Sequence, residues 1–188
     1  MIGSLPTSLT VNGNEYKIRS DFRVGILILQ AFMDDNLTRQ EAITIMLQCL
    51  YEDYDNIPVN DLTEAAQQAV WFLNCGDTIA KPQTHAPLYN FEQDEQMIFS
   101  AINKVAGKEV RALDYLHFWT FIGYFNELEE GTFSTVLSIR SKKQKGKKLE
   151  KWEKEFYNNN KELVNLKHQY TDSEQEDIEA LEELLGLK

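Results

Sequence analysis

Residues 113–128 read LDYLHFWTFIGYFNEL, and ten of these sixteen positions are aliphatic or aromatic. Wound as an α-helix, the segment carries apolar side chains around nearly the whole wheel, and such a helix must be surrounded by others. It is predicted as a helix from Leu113 to Leu128, the central post of a helical C-terminal unit. His117 within it has no second histidine or cysteine at ligand spacing and reads as a hydrogen-bonded core residue rather than a base.

On the upstream side, Asn90 is placed to cap FEQDEQMIFSAINKVAG. Glu92, Asp94 and Glu95 in the first turn complement the helix dipole, Met97, Ile98, Ile102 and Val105 form one apolar face, and Gly107 ends the run. Downstream, Gly131 breaks the chain, and Phe133, Val136 and Leu137 predict a short helix. Beyond it Leu149, Trp152, Phe156, Leu163, Leu166 and Tyr170 recur with Asn159 in the remaining slot, seven successive a and d positions of a heptad pattern. One long amphipathic helix is expected there, either packed within its own unit or offered to a partner helix or a second copy. Tyr157 and Val164 widen the stripe, which leaves both readings open.

The N-terminal half opens with SLTVNGNEYKI, an alternating pattern around Asn12-Gly13 that predicts a tight β-hairpin. Ser20 or Asp21 then caps FRVGILILQAFM, apolar on most faces and read as a buried helix, although Ile26 and Ile28 also suit a strand. Thr38 with Glu41 makes a capping box before the stripe Ala42, Ile45, Met46, Cys49 and Leu50. Asp61 with Glu64 repeats that signature before Leu62, Ala65, Ala69, Phe72 and Leu73, and Gly76 is placed to end the helix. Residues 77–90 contain two prolines and no periodicity, the pattern of a linker. The expected organisation is a hairpin plus helices over 1–76, a linker over 77–90, a helical unit over 91–170 and an acidic tail over 171–188 with Ile178, Leu181, Leu184 and Leu185 on one helical face. The fold class is mainly α, a helical bundle-like protein with one short N-terminal β-hairpin.

The chain has 188 residues and a net charge of −11, unevenly placed. Residues 140–154 hold eight Lys/Arg against two Asp/Glu, while residues 1–139 carry a net −11 and residues 155–188 a net −6. The overall field repels phosphates, so nucleic acid is not an expected partner. The lysine block SKKQKGKKLEKWEK reads either as a solvated stretch neutralising surrounding acid or as a patch facing acidic partner helices. Two cysteines, Cys49 and Cys75, are too few and too far apart for a disulfide framework and read as reduced core residues. The first residues lack the pattern of a signal peptide and no apolar run reaches membrane-spanning length, so no membrane partner is expected.

Catalytic and metal patterns are weak. Asp53, Asp55, Asp61 and Glu64 fall at positions 1, 3, 9 and 12 of a calcium loop, but Ile57 and Pro58 occupy positions 5 and 6, where an oxygen ligand and a turning glycine are required. There is no glycine-rich phosphate loop and no nucleophile motif. A non-catalytic protein without metal or cofactor is expected.

Three motifs carry a family resemblance. Asp114, Tyr115, Phe118, Trp119, Phe121 and Phe125 follow D-Y-x-x-F-W-x-F-x-x-x-F; Thr132 to Ser134 with Ile139 and Arg140 follow T-F-S-x-x-x-x-I-R; and Lys145 to Phe156 follow K-G-K-K-L-x-K-x-E-K-E-F. With looser likeness over Arg19–Phe32 and Phe72–Gly76, the chain resembles the gene-product-fifteen family of tailed phages and prophages of Gram-positive bacteria. The resemblance implies a tail-assembly chaperone acting in the host cytoplasm, with the tape-measure protein and the major tail protein as partners and no catalytic residues. An alternative is a structural component of the tail or connector. The residues expected to contact a partner are Trp152, Phe156, Leu163 and Leu166, with Lys147, Lys148 and Lys151 steering; self-association through the heptad stripe is the other candidate use of this region.

Overall fold

Asn12 and Gly13 take φ of 46° and 84°, positive at both central positions of a two-residue loop, as a type I′ turn requires. The turn joins β1 (Ser8–Val11) to β2 (Asn14–Lys17) in antiparallel register, Val11 opposite Asn14. This is the computed structural model of the chain, and it describes residues 3–77 and 87–166. Among these residues the remaining regular elements are helices: α1 (Phe22–Ala31), α2 (Arg39–Leu50), α3 (Leu62–Leu73), α4 (Glu95–Ala106), α5 (Phe118–Asn126), α6 (Thr132–Gln144), α7 (Lys151–Asn159), α8 (Lys161–Val164) and three short 3₁₀ turns. The architecture is mainly α with one N-terminal hairpin.

The helix over FRVGILILQAFM forms as α1, and the strand alternative falls away. Asp21 caps it, accepting from the Arg23 N–H at 3.0 Å. Its apolar residues lie on most faces because α1 serves two clusters. Ile28 joins Leu9, Val11, Met46, Leu50, Tyr51, Ala65, Ala69 and Phe72, whereas Phe22 joins Phe91, Ile98, Phe99, Ile102 and Phe121. The capping box on α2 is present in both halves, with Thr38 Oγ1 accepting from the Glu41 N–H and Glu41 accepting from the Thr38 N–H. The one on α3 is not. Asp61 closes a 3₁₀ turn that follows Pro58 and makes no cap bond. Its carboxylate instead accepts from the Asn12 side chain at 2.6 Å, tying the hairpin turn to the start of α3.

The central helix is shorter than the sequence predicts. The chain bends at Asp114, and Leu116 and His117 pair beside Ser20–Phe22, with Phe22 N–H donating to Leu116 O and Phe118 N–H to Ser20 O. Backbone groups that a helix would have paired internally are satisfied across this crossing, so α5 starts at Phe118. His117 becomes its N-cap: the ring Nδ1 accepts from the Trp119 N–H at 3.0 Å and Nε2 lies 2.9 Å from Pro6 O. The histidine is 3% exposed and fully partnered, a core residue as expected.

From Phe118 onward α5 does act as a post between two cores. Phe118 packs in the first cluster against Phe72, and Phe121 in the second, stacked on Phe22 with ring centroids 4.8 Å apart. Aromatic pairs of this kind add about 0.5–1.5 kcal/mol beyond their area burial. Trp119 donates from Nε1 to Phe72 O at 2.7 Å. Both clusters draw on residues from either side of the 77–90 segment, because α1 and α5 each contribute to both. Cys49 and Cys75 are half-buried free thiols, and burial pushes the Cys75 thiol up.

Candidate interaction site

The C-terminal part of the described chain is built on α6. It is a 13-residue helix rather than a short one, because Phe133, Val136, Ile139 and Arg140 keep one face inward over its length. It ends in a Schellman motif. Gly146 takes φ of 63°, Lys147 N–H donates to Lys142 O at 2.8 Å and Gly146 N–H to Lys143 O at 3.0 Å. Left-handed φ of this kind is the conformation glycine adopts without cost. The turn throws the lysines from Lys145 onward off the helix and into an exposed corner that leads to α7.

Glu153 anchors α7 under that corner. Its carboxylate accepts from Lys142 Nζ at 2.7 Å and from the Glu150 N–H at 2.8 Å, and its side chain is 1% exposed. The Lys142 ammonium, then the Glu150 N–H, hold this carboxyl below the usual glutamate range.

The single helix predicted by the heptad pattern does not form. It breaks at Asn160, whose backbone takes φ −134° and ψ 40°, after the run Asn158-Asn159-Asn160. Asparagine competes with the helix ladder by bonding locally, and Asn160 Nδ2 does so by donating to Phe156 O at 2.9 Å. A second cause is Arg140, which ties down the far end of α8. Its Nε donates to Val164 O at 2.7 Å, Nη2 to Leu163 O at 2.9 Å and Nη1 to Leu88 O at 3.0 Å. Its remaining two donors form a bidentate pair with Asp94 at 2.6 and 2.9 Å. All five guanidinium N–H groups are thus used, with the Arg140 and Asp94 side chains 5% and 0% exposed. Asp94 also accepts from the Asn90 N–H. Asp94 is therefore no solvated acid at a helix terminus; it receives the guanidinium that joins α4, α6, α8 and the segment before α4.

Sequence reasoning missed this clamp, although a signal was there. Arg140 lies on the i, i+3, i+7 stripe of Phe133 and Val136, and Asp94 lies on the i, i+4, i+8 stripe of Ile98 and Ile102. A charge on an apolar stripe demands a buried partner.

The sequence-predicted contact residues separate into two groups. Lys147, Lys148 and Lys151 are exposed, and Trp152 beside them is 58% exposed. Phe156 and Leu163 are half-buried and pack, with Leu149 and Tyr157, on the third cluster of Val136, Ile139 and Val164. Leu166 is 36% exposed at the edge of the described residues, and Tyr170 falls outside them. The heptad stripe thus splits into an exposed Trp152 end and a half that its own fold uses.

Elsewhere, α2 and α3 enclose an apolar groove of about 950 Å³ over Met46, Leu47 and Trp71. Among the described residues no group of three His, Cys, Asp or Glu is placed to hold a metal ion, and no helix is long and apolar enough to cross a membrane.

No curated protein and no solved structure matches the chain. The family model described as Bacteriophage Gp15 protein matches residues 1–166, spanning the hairpin, both aromatic cores and the clamp, and the chain therefore belongs to that bacteriophage protein family.

Proposed function

We propose that the protein is a non-catalytic tail-assembly chaperone, which binds helical segments of the tape-measure protein in the host cytoplasm and helps recruit subunits of the major tail protein. The observation that carries this reading is the corner from Lys145 to Lys154. The side-chain ammonium groups of five lysines there, Lys145, Lys147, Lys148, Lys151 and Lys154, have no ion-pair or hydrogen-bond partner among the described residues, and an exposed Trp152 sits in their midst. Aromatic residues are enriched at binding hot spots, and a ring of like charge steers partners of opposite sign. An acidic amphipathic helix fits both features, laid with its apolar side on Trp152.

Phe156 and Leu163 pack with Leu149 on the third cluster, and in this reading Leu166 is a further apolar contact for the partner. A protein that works this way leaves when the tail is complete. Mass spectrometry of purified phage particles tests that: the protein is expected in infected-cell lysate and absent from the particles. Recovery at stoichiometric amounts in the tail would replace the chaperone reading with that of a structural tail or connector component.

A further inference from the structure

Helix α3 carries apolar residues on two faces. Ala65, Ala69 and Phe72 are buried in the first core, whereas Leu62, Ala66 and Val70, four residues apart in turn, line the groove between α2 and α3. Val70 is 41% exposed there, while Met46 and Leu47 beneath it belong to the core. A helix with a second apolar face calls for a second partner. The groove measures about 950 Å³, and an exposed apolar surface with a polar rim marks an interaction site.

Charge identifies the occupant. Charged residues make up 26% of the chain, but those lining the groove are Arg39 and Asp77, whose charges cancel. The rim is otherwise amide and hydroxyl: Gln40, Thr63, Gln67 and Asn74, all exposed. A carboxamide both donates and accepts, so it pairs with a copy of itself, which no charged group can do. An acidic helix of the kind that suits the lysine corner finds a single cation here, and a basic helix a single anion. Two copies at −11 each repel one another at a distance, and they meet most readily where both faces are neutral. We propose that the groove is closed by the same groove of a second copy, in an isologous dimer whose α3 helices cross near Val70. Such a dimer requires one self-complementary patch, and this one qualifies. Each copy covers the other's Ile43, Ala66 and Val70, and two pairs of 12-residue helices, each about 18 Å long, form a four-helix arrangement.

This surface shares no residue with the lysine corner and is tested without the tape-measure protein, so either reading can fail alone. Sedimentation velocity of the full-length chain over about 1–200 µM should show a monomer passing to a dimer and to nothing larger. Val70→Glu and Val70→Lys each set like charges against one another at the crossing and should raise the dissociation constant at least about a hundredfold. Both should keep the Tm within about 2 °C of wild type, because Val70 lies at the monomer surface. Mixed in equal amounts, the two variants should recover dimers, since opposite charges then meet. Trp152→Ala with Lys148→Glu and Lys151→Glu should dimerise as the wild type does. A monomer at every concentration leaves the groove to a different protein and overturns the proposal. So does a dimer that both Val70 variants leave intact or that the Trp152 variant loses, a mixture that stays monomeric, or growth beyond the dimer, the mark of head-to-tail contact.

Discussion

Replacing Arg140 tests the reading of the C-terminal region as a clamped structure. Arg140→Ala removes five hydrogen bonds, orphans the Leu88, Leu163 and Val164 carbonyls, and leaves Asp94, 0% exposed, with the Asn90 N–H as its remaining partner. Breaking a buried ion pair by removing one partner costs about 3–5 kcal/mol. Releasing α8 so that water reaches its carbonyls limits the cost to that range. For a chain of this size each kcal/mol corresponds to about 2–4 °C, so a fall in Tm of about 12 °C is expected. Arg140→Lys keeps the charge but only three donors at one point in place of a planar fork, and should lose more than about 2 kcal/mol. Adding Asp94→Ala to Arg140→Ala removes the stranded carboxylate, so the double variant should cost less than the sum of the singles by at least about 1 kcal/mol. Urea unfolding followed by far-UV circular dichroism measures the four variants against wild type, and hydrogen exchange at residues 160–165 reports α8 directly. Additive single costs, or an Arg140→Lys protein within about 0.5 kcal/mol of wild type, would refute the clamp.

Three further outcomes are expected. A Cβ at Gly25 would lie 2.1 Å from the Phe118 ring, so Gly25→Ala should force α1 and α5 apart at a cost of about 3 kcal/mol, read by thermal unfolding; an unchanged Tm would contradict this packing. Tyr51 is fully buried, its hydroxyl pushed up by burial and donating to Ala65 O at 2.9 Å, so Tyr51→Phe should lose about 1 kcal/mol in urea unfolding while the native circular dichroism spectrum is retained. Glu109 is pulled down to about 2 from 4.5, chiefly by hydrogen bonds from Arg111. Because the folded value is the lower one, its stabilising contribution is complete above pH 4.5 and is lost as pH falls towards 2, and Glu109→Gln should flatten that part of the stability–pH curve.

Local chemistry was the legible part of this fold. Asn12-Gly13 dictated its turn, Thr38 with Glu41 dictated its cap, and the stripes of α2 and α4 marked Ala42, Met46, Leu50, Ile98 and Ile102 as buried while leaving out Leu47 and Phe99, because each signal is settled within a few residues. The errors arose where distant groups took over. Asp61 was claimed by Asn12, forty-nine residues away, and Leu116 and His117 by the backbone of Ser20–Phe22. The heptad misled for the same reason, since its spacing continues through Asn160 while Arg140 and three successive asparagines end the helix. At the interaction site, the exposure of Lys147, Lys148, Lys151 and Trp152 followed from a lysine block around a glycine, but the inward turn of Phe156 and Leu163 depended on a cluster that periodicity alone does not reveal.

That split supplies the variant for the most direct test of the central claim. Trp152→Ala with Lys148→Glu and Lys151→Glu alters only exposed side chains and should leave the Tm within about 2 °C of wild type, as surface changes do. Co-expressed with the phage tape-measure protein, the wild type should hold it in the soluble fraction and co-purify with it, and the triple variant should lose at least about tenfold of that recovery. Undiminished co-purification by the folded triple variant would contradict the account.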